Sequence, residues 1–363
     1  MENCLIQHMT LIGENKNMTI LHNHRYRFFC LILGILLLLS FFLSFLCGRY
    51  SSVSITDIIH LFLNKVCGSN YDISSNTEAV ILQLRLPRII GACLIGTALA
   101  ISGCAYQALF GNPIASPDTL GVSNAASFAA VLGIILNMNS IYNKLLAFCV
   151  GTITVLMVFF LGSKISRGKN LTAYLLLIGM VVSSVFSAML SILKYIADPE
   201  NQLPQITYWL MGSLSKIAVD DIKIFIVFFI TGTIPLFLLR WRMNLLILSE
   251  AEMKSIGENI IQLRAVVIVC ATLLTASATA LTGGISWVGL MIPHMVRKIV
   301  GHDFRKVVPS SALLGAFFLL IMDDLSRSIS VNELPISILT SLVGAPIFFV
   351  IILMNREHMV NDN

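Results

Sequence analysis

Ten apolar stretches, most of them about twenty residues long, recur along this chain at 28–47, 89–109, 118–136, 145–163, 173–193, 222–239, 263–282, 287–300, 308–325 and 335–354. A helix needs ~17–25 such residues to cross a bilayer. Lipid offers no water to backbone N–H and C=O groups, so each stretch must satisfy its own hydrogen bonds, which a helix does. Composition agrees: 56% of the 363 residues are hydrophobic and 12% are charged, against roughly 25% charged in a soluble domain. The reading is an all-α membrane protein, a polytopic bundle of about ten transmembrane helices.

The first stretch follows His24, Arg25 and Arg27. It exceeds the ~7–15 residues of a signal-peptide core and has no small-x-small cleavage site, so it reads as a span. The eighth is short, follows Gly283-Gly284 and carries Pro293, and a broken or tilted helix buried among its neighbours is expected. Residues 28–354 form a single ten-span domain between cytoplasmic tails at 1–27 and 355–363. With the N-terminus cytoplasmic, fifteen lysines and arginines fall on the inner side and nine on the outer, the bias expected of inner loops.

Three connections are more than turns. Ile55, Ile58, Ile59, Phe62 and Leu63 share helical spacing, which predicts an amphipathic helix on the outer surface. Segment 194–221 predicts a short outer helix, and segment 240–262 a cytoplasmic helix from about Ser249 to Glu258, closed near Gly257. Small residues crowd the second span (Gly91, Gly96, Ala98, Ala100, Ser102, Gly103, Ala105) and the seventh (Ala271, Thr275 to Ala280). They let helix backbones approach closely in lipid and predict a tight bundle.

Chemistry of the chain's own is missing. Gly168-Lys169 precedes Asn170 and lacks the upstream glycine of a phosphate loop. The span centres carry almost no ionisable group, whereas an ion-coupled transporter places such groups near the midplane. Asp323 and Asp324 read as an end-of-helix pair near water, and His294 as a hydrogen-bonded structural histidine. The eight cysteines are scattered without a C-x-x-C pair and read as packing. No metal site, cofactor or intramembrane catalytic pair is expected. The +5 net charge is dispersed, which argues against nucleic acid as a partner. A transporter without an energy site points to a separate ATPase.

Several strings occur in order along 28–354: Leu84-Arg85-Leu86-Pro87-Arg88, Gly103 with Gln107, Asn112-Pro113-Ile114-Ala115-Ser116-Pro117, Leu120-Gly121 and Trp209-Leu210-Met211-Gly212-Ser213. Gly289 to Arg297, Glu333-Leu334-Pro335-Ile336 and Gly344-Ala345-Pro346 follow. This ordered set resembles the FecCD-type permeases of type II ATP-binding-cassette importers, which carry ferric siderophores, haem and cobalamin. The resemblance implies that permease fold and a bacterial cytoplasmic (inner) membrane. It also implies a second permease subunit, identical or related, two ATPase subunits and an extracytoplasmic substrate-binding protein.

It further implies roles for particular residues. Arg85, Arg88 and Arg327 match docking arginines at the outer mouth, where exposed guanidiniums pair with carboxylates of the binding protein. The other reading is arginines snorkelling at span ends. Glu250, Glu252, Ile256 and Gly257 match the helix that couples to the ATPase; Ser249 replaces the usual glycine and suits an N-cap. Asn112, Ile114, Thr172 and Ala173 match a cytoplasmic gate, with Asn112 alternatively capping a turn before Pro113. Asn124 and Ala125 stand where the family often has a glycine, which bears on packing of the third span. Met180, Ser183, Ser184 and Ser187 are candidates for a weakly binding pathway wall. The expected cargo is a ferric siderophore, with haem or cobalamin as the alternatives. An ion-coupled secondary transporter working alone is the rival of another class.

Overall fold

The computed structural model describes residues 25–48, 53–166, 170–248, 252, 259–330 and 333–361. Thirteen α-helices account for most of them: α1 Arg25–Ser44, α2 Ile55–Cys67, α3 Ser75–Ala79, α4 Leu86–Phe110, α5 Val122–Ile135, α6 Ser140–Ser166 and α7 Leu171–Ile196. Then come α8 Gln202–Leu210, α9 Val219–Leu238, α10 Ile260–Thr282, α11 Val288–Val300, α12 Phe304–Ile329 and α13 Ile336–Asn361. Seven are long and apolar enough to cross a membrane, α3 and α4 counting as one continuous helix. The shorter apolar helix α5, the apolar segment Ile336–Ile351 of α13 and the short α11 complete ten, each on one of the expected spans.

α4 is the axis of the bundle. α9, α10, α11 and α12 all pack on it, and it is buried nearly all round. Close approach explains its small residues. A side-chain carbon added to Gly96 would strike the backbone of Gly315 on α12, and one added to Gly103 would strike Gly289 on α11. Two polar side chains of α4 bond across the bundle: Tyr106 and Thr272 share a hydroxyl hydrogen bond of 3.0 Å, and Gln107 Nε2 donates to the Leu290 carbonyl at 3.1 Å. Near its start Pro87 has no N–H to donate, and a proline ring crowds the carbonyl one turn back. There the backbone runs as a wider π turn over Val80–Arg85.

The eighth span differs in detail from expectation. α11 runs unbroken through Pro293; the interruption lies before it, over 283–287. Trp287 takes a positive φ of 71°, unusual for a bulky residue, and Gly344 of α13 leaves room for its side chain.

Helices stand in both connections for which outer ones are expected. In α2 a capping box joins Ser54 and Asp57, and Gly68 closes the far end in the left-handed conformation. Leu61 is buried and Ile58 packs on the core, while Ile55, Ile59 and Phe62 stay exposed. α8 buries Ile206 in a small core with Val131 and Ile134 of α5 and Leu193 of α7. The segment 249–258, where a cytoplasmic helix is expected, lies outside the described residues, Glu252 excepted.

Candidate functional site

Arg85 ends the π turn and Arg88 lies three residues on, so both guanidiniums leave the same side of the helix. Arg327 sits in the last turn of α12. The fold gathers all three at one end of the bundle with Asp323, Asp324, Glu333 and Ser44. Arg88 reaches Glu333 through Nη1 at 2.9 Å to both carboxylate oxygens, and Asp323 through Nε at 2.9 and 3.1 Å. Arg88 Nη2 and Arg327 Nε also approach Asp323 at 2.8 and 3.1 Å, as charge contacts without hydrogen-bond alignment. Arg327 Nη2 pairs with Asp324 and donates to Ser44 Oγ at 2.6 Å, and Ser44 Oγ donates to Asp324 at 2.5 Å. Arg85 donates to the Phe45 carbonyl at the end of α1.

This arrangement differs from the sequence reading in two respects. The guanidiniums are not exposed: Arg85, Arg88 and Arg327 are 6%, 7% and 5% accessible. Asp323 is not near water either, being fully buried between two arginines. The cluster ties α1, α4, α12 and the segment before α13 together. Glu333, with its side chain 28% accessible, is its most open acid.

At the other end of α4, about 36 Å away for a helix of this length, Asn112 and Ile114 are exposed. The Asn112 carboxamide oxygen accepts from the Ile114 N–H at 3.0 Å, so the turn-capping geometry is present. Thr172 is half-buried and Ala173 exposed in the first turn of α7. The 3-10 turn Pro117–Leu120 packs on Gly179, about two turns further along α7. Of the coupling residues, Glu250, Ile256 and Gly257 fall outside the described residues, and Glu252 is helical and exposed. His294 does not take the hydrogen-bonded role expected of it: among the described residues neither ring nitrogen has a partner, and the ring packs edge-on to Phe348 at 5.4 Å.

α7 turns a polar strip outward. Ser183, Ser184, Ser187 and Ser191, with Asn124 of α5, line an open groove of about 480 Å³, and Met180 beside it is exposed. Asn124 Nδ2 donates to Ser183 Oγ at 2.6 Å. The asparagine that breaks the family's usual glycine therefore fastens α5 to α7, while Ala125 fills the buried position. Ser184 and Ser191 donate back to the carbonyls of Met180 and Ser187, both at 2.9 Å. No charge lines the groove. Ser191 and Glu333 were absent from the sequence-derived set. A four-residue serine spacing along α7 was the available signal for the first; Glu333 lay in a quoted string without an assigned role.

Among the described residues no group of three or more His, Cys, Asp or Glu side chains is placed to hold a metal.

Comparison with known proteins follows the same lines. Residues 36–354 match the model of the FecCD transport family. The molybdate import system permease protein MolB of Haemophilus influenzae is 37% identical over 332 residues, 91% of this chain and 96% of that one. A probable iron chelatin transport system permease of Helicobacter pylori is 38% identical over 282 residues, 78% of this chain and 85% of its own length. A solved ABC transporter described as metal-chelate type, in an inward-facing conformation, superposes with a TM-score of 0.78 at 36% identity, covering 90% of this chain and 98% of that one.

Proposed function

This chain belongs to the FecCD transport family, and on that premise we propose that it carries a ferric siderophore across the cytoplasmic membrane of a bacterium. It is a multi-pass permease subunit of the ABC importer type, a transport component and not an enzyme. In this reading two ATPase subunits supply the energy, engaging the cytoplasmic segment with Glu250, Glu252, Ile256 and Gly257. A second permease subunit, identical or related, faces the α7 groove. An extracytoplasmic binding protein docks at the end bearing Arg85, Arg88 and Arg327, and both chain termini lie in the cytoplasm, as the loop charges suggest.

The observation that carries the pathway is the exposed strip of α7. Its hydroxyls and Met180 offer many weak contacts and no fixed charge, which suits a bulky cargo that must leave again. Ile114, 58% exposed, with Asn112, Thr172 and Ala173, forms the inner gate of this pathway. Docking has a built-in condition. Arg88 already holds Glu333, so a carboxylate of the binding protein reaches it by exchange with Glu333.

A second cargo has a specific observation behind it: the relative that spans 91% of this chain is named for molybdate. Purification of the complex, followed by uptake of radiolabelled ferric siderophore or molybdate into proteoliposomes containing ATP, decides between them. ATP-dependent siderophore uptake, uncompeted by molybdate, supports the first reading; molybdate uptake alone replaces it. Uptake by the single chain without an ATPase overturns both.

A further inference from the structure

We propose that this permease holds one anionic phospholipid in a two-part cleft between α6 and α9, independently of what it transports. The inner part is an apolar crevice of about 230 Å³ with Leu145 and Phe148 of α6 on one wall and Phe225 and Phe228 of α9 on the other. Its floor is α10, where Ser277 and Ala280, one turn apart, leave room that larger side chains would fill. Ile224 lines it and is 54% exposed, so the crevice opens at the outside of the helix bundle.

A polar cavity of about 660 Å³ lies beside it, with Lys144, Ala280 and Leu281 lining both. Asn143, Gln205, Tyr208, Trp209 and Lys216 face this second part. At the junction Lys144 Nζ donates to Asp221 at 2.6 Å, and Asp221 also accepts from the Ala218 N–H at 3.0 Å. Asp221 is the one acid lining either part, against two lysines. Lys216 is exposed, so the polar part carries a net positive charge. Asn143 also lines this part, through a side chain whose carboxamide oxygen packs against Gly133 of α5.

The depth is right for an amphiphile. Lys144 is about one turn into α6 and Asp221 lies in the first turn of α9, the level at which helix ends meet headgroups. Tyr and Trp favour that level for their mixed polarity, and basic pockets between spans hold phosphate headgroups. An alkyl chain occupies the crevice and the phosphate sits beside Lys216.

Native mass spectrometry of the purified protein titrated with phosphatidylglycerol in detergent tests this. Wild type retains one copy. Ile224→Trp plugs the crevice and weakens retention about tenfold, and Lys216→Glu weakens it about fivefold. Val227→Trp adds the same bulk at a 58% exposed site of α9 outside the cleft and leaves retention unchanged. Water-soluble glycerophosphoglycerol does not displace the lipid. No retained copy, wild-type retention by Ile224→Trp, equal loss in Val227→Trp, or displacement by the soluble headgroup overturns the proposal. Equal retention of phosphatidylcholine overturns the anionic assignment.

Discussion

α4 and α7 are nearly the same length, 25 and 26 residues, and both are strongly apolar. Yet 78% of the apolar stretch in the helix containing α4 is buried, against 11% in α7. α4 spends its surface on other helices of this chain, through glycine contacts and an ion cluster at its start. α7 keeps its outward face for something else, whether lipid or a second subunit. Hydrophobicity therefore says that a helix enters the membrane, while side-chain size says whether it meets backbone or something outside the chain.

The contrast predicts a gradient of mutational cost. Asp323→Ala leaves two buried arginines without their shared partner and costs about 3–5 kcal/mol, read as a large loss of thermal stability in detergent. Gly96→Val drives a branched side chain into the Gly315 backbone and costs about 1–3 kcal/mol or more, seen as reduced monodisperse protein on gel filtration. Folded protein of wild-type stability in both variants would break the view of α4 as the rigid axis.

A smaller effect is expected at the start of α12. Asp303 caps that helix through the Arg305 N–H and accepts from Asn244. Burial acts to raise its carboxyl, but these donors and the Arg305 guanidinium outweigh it and hold the group below the usual carboxylate range. A depressed folded pKa means that the stability it gives is complete above the ordinary carboxylate range and disappears as pH falls through the folded value. Asp303→Ala thus costs ~1 kcal/mol at neutral pH, and the gap to wild type closes in strong acid.

On α7 the order inverts. Ser187→Ala shifts stability within about 0.5 kcal/mol while changing the uptake rate in proteoliposomes, and a stability loss as large as that of Gly96→Val would erase the distinction between the two helices.

Much of this was legible beforehand. The small residues of α4 signalled close packing, and the Ile55–Leu63 spacing signalled α2. Three of the α7 serines named as a wall, Ser183, Ser184 and Ser187, line one groove, with Asn124, Ala188 and Ser191 added and Met180 outside it. Other features were not readable. Nothing in Leu84 to Arg88 says that the arginines turn inward, because their acids stand elsewhere in the chain. Nor does the sequence show that Asn124 would find Ser183. Gly283-Gly284 and Pro293 together suggested a broken or tilted helix; the backbone runs on through Pro293, and the interruption falls at the glycines, where left-handed and extended turns are less costly.

The amino-acid order alone determined that this is an all-helical, multi-span membrane protein, since spanning length and backbone hydrogen bonding are satisfied locally, within each stretch. Tertiary structure decided which charges are occupied and which faces stay open. The carboxylates that hold Arg88 lie 235 and 245 residues away along the chain, and a pairing across that distance exists only after the helices have packed.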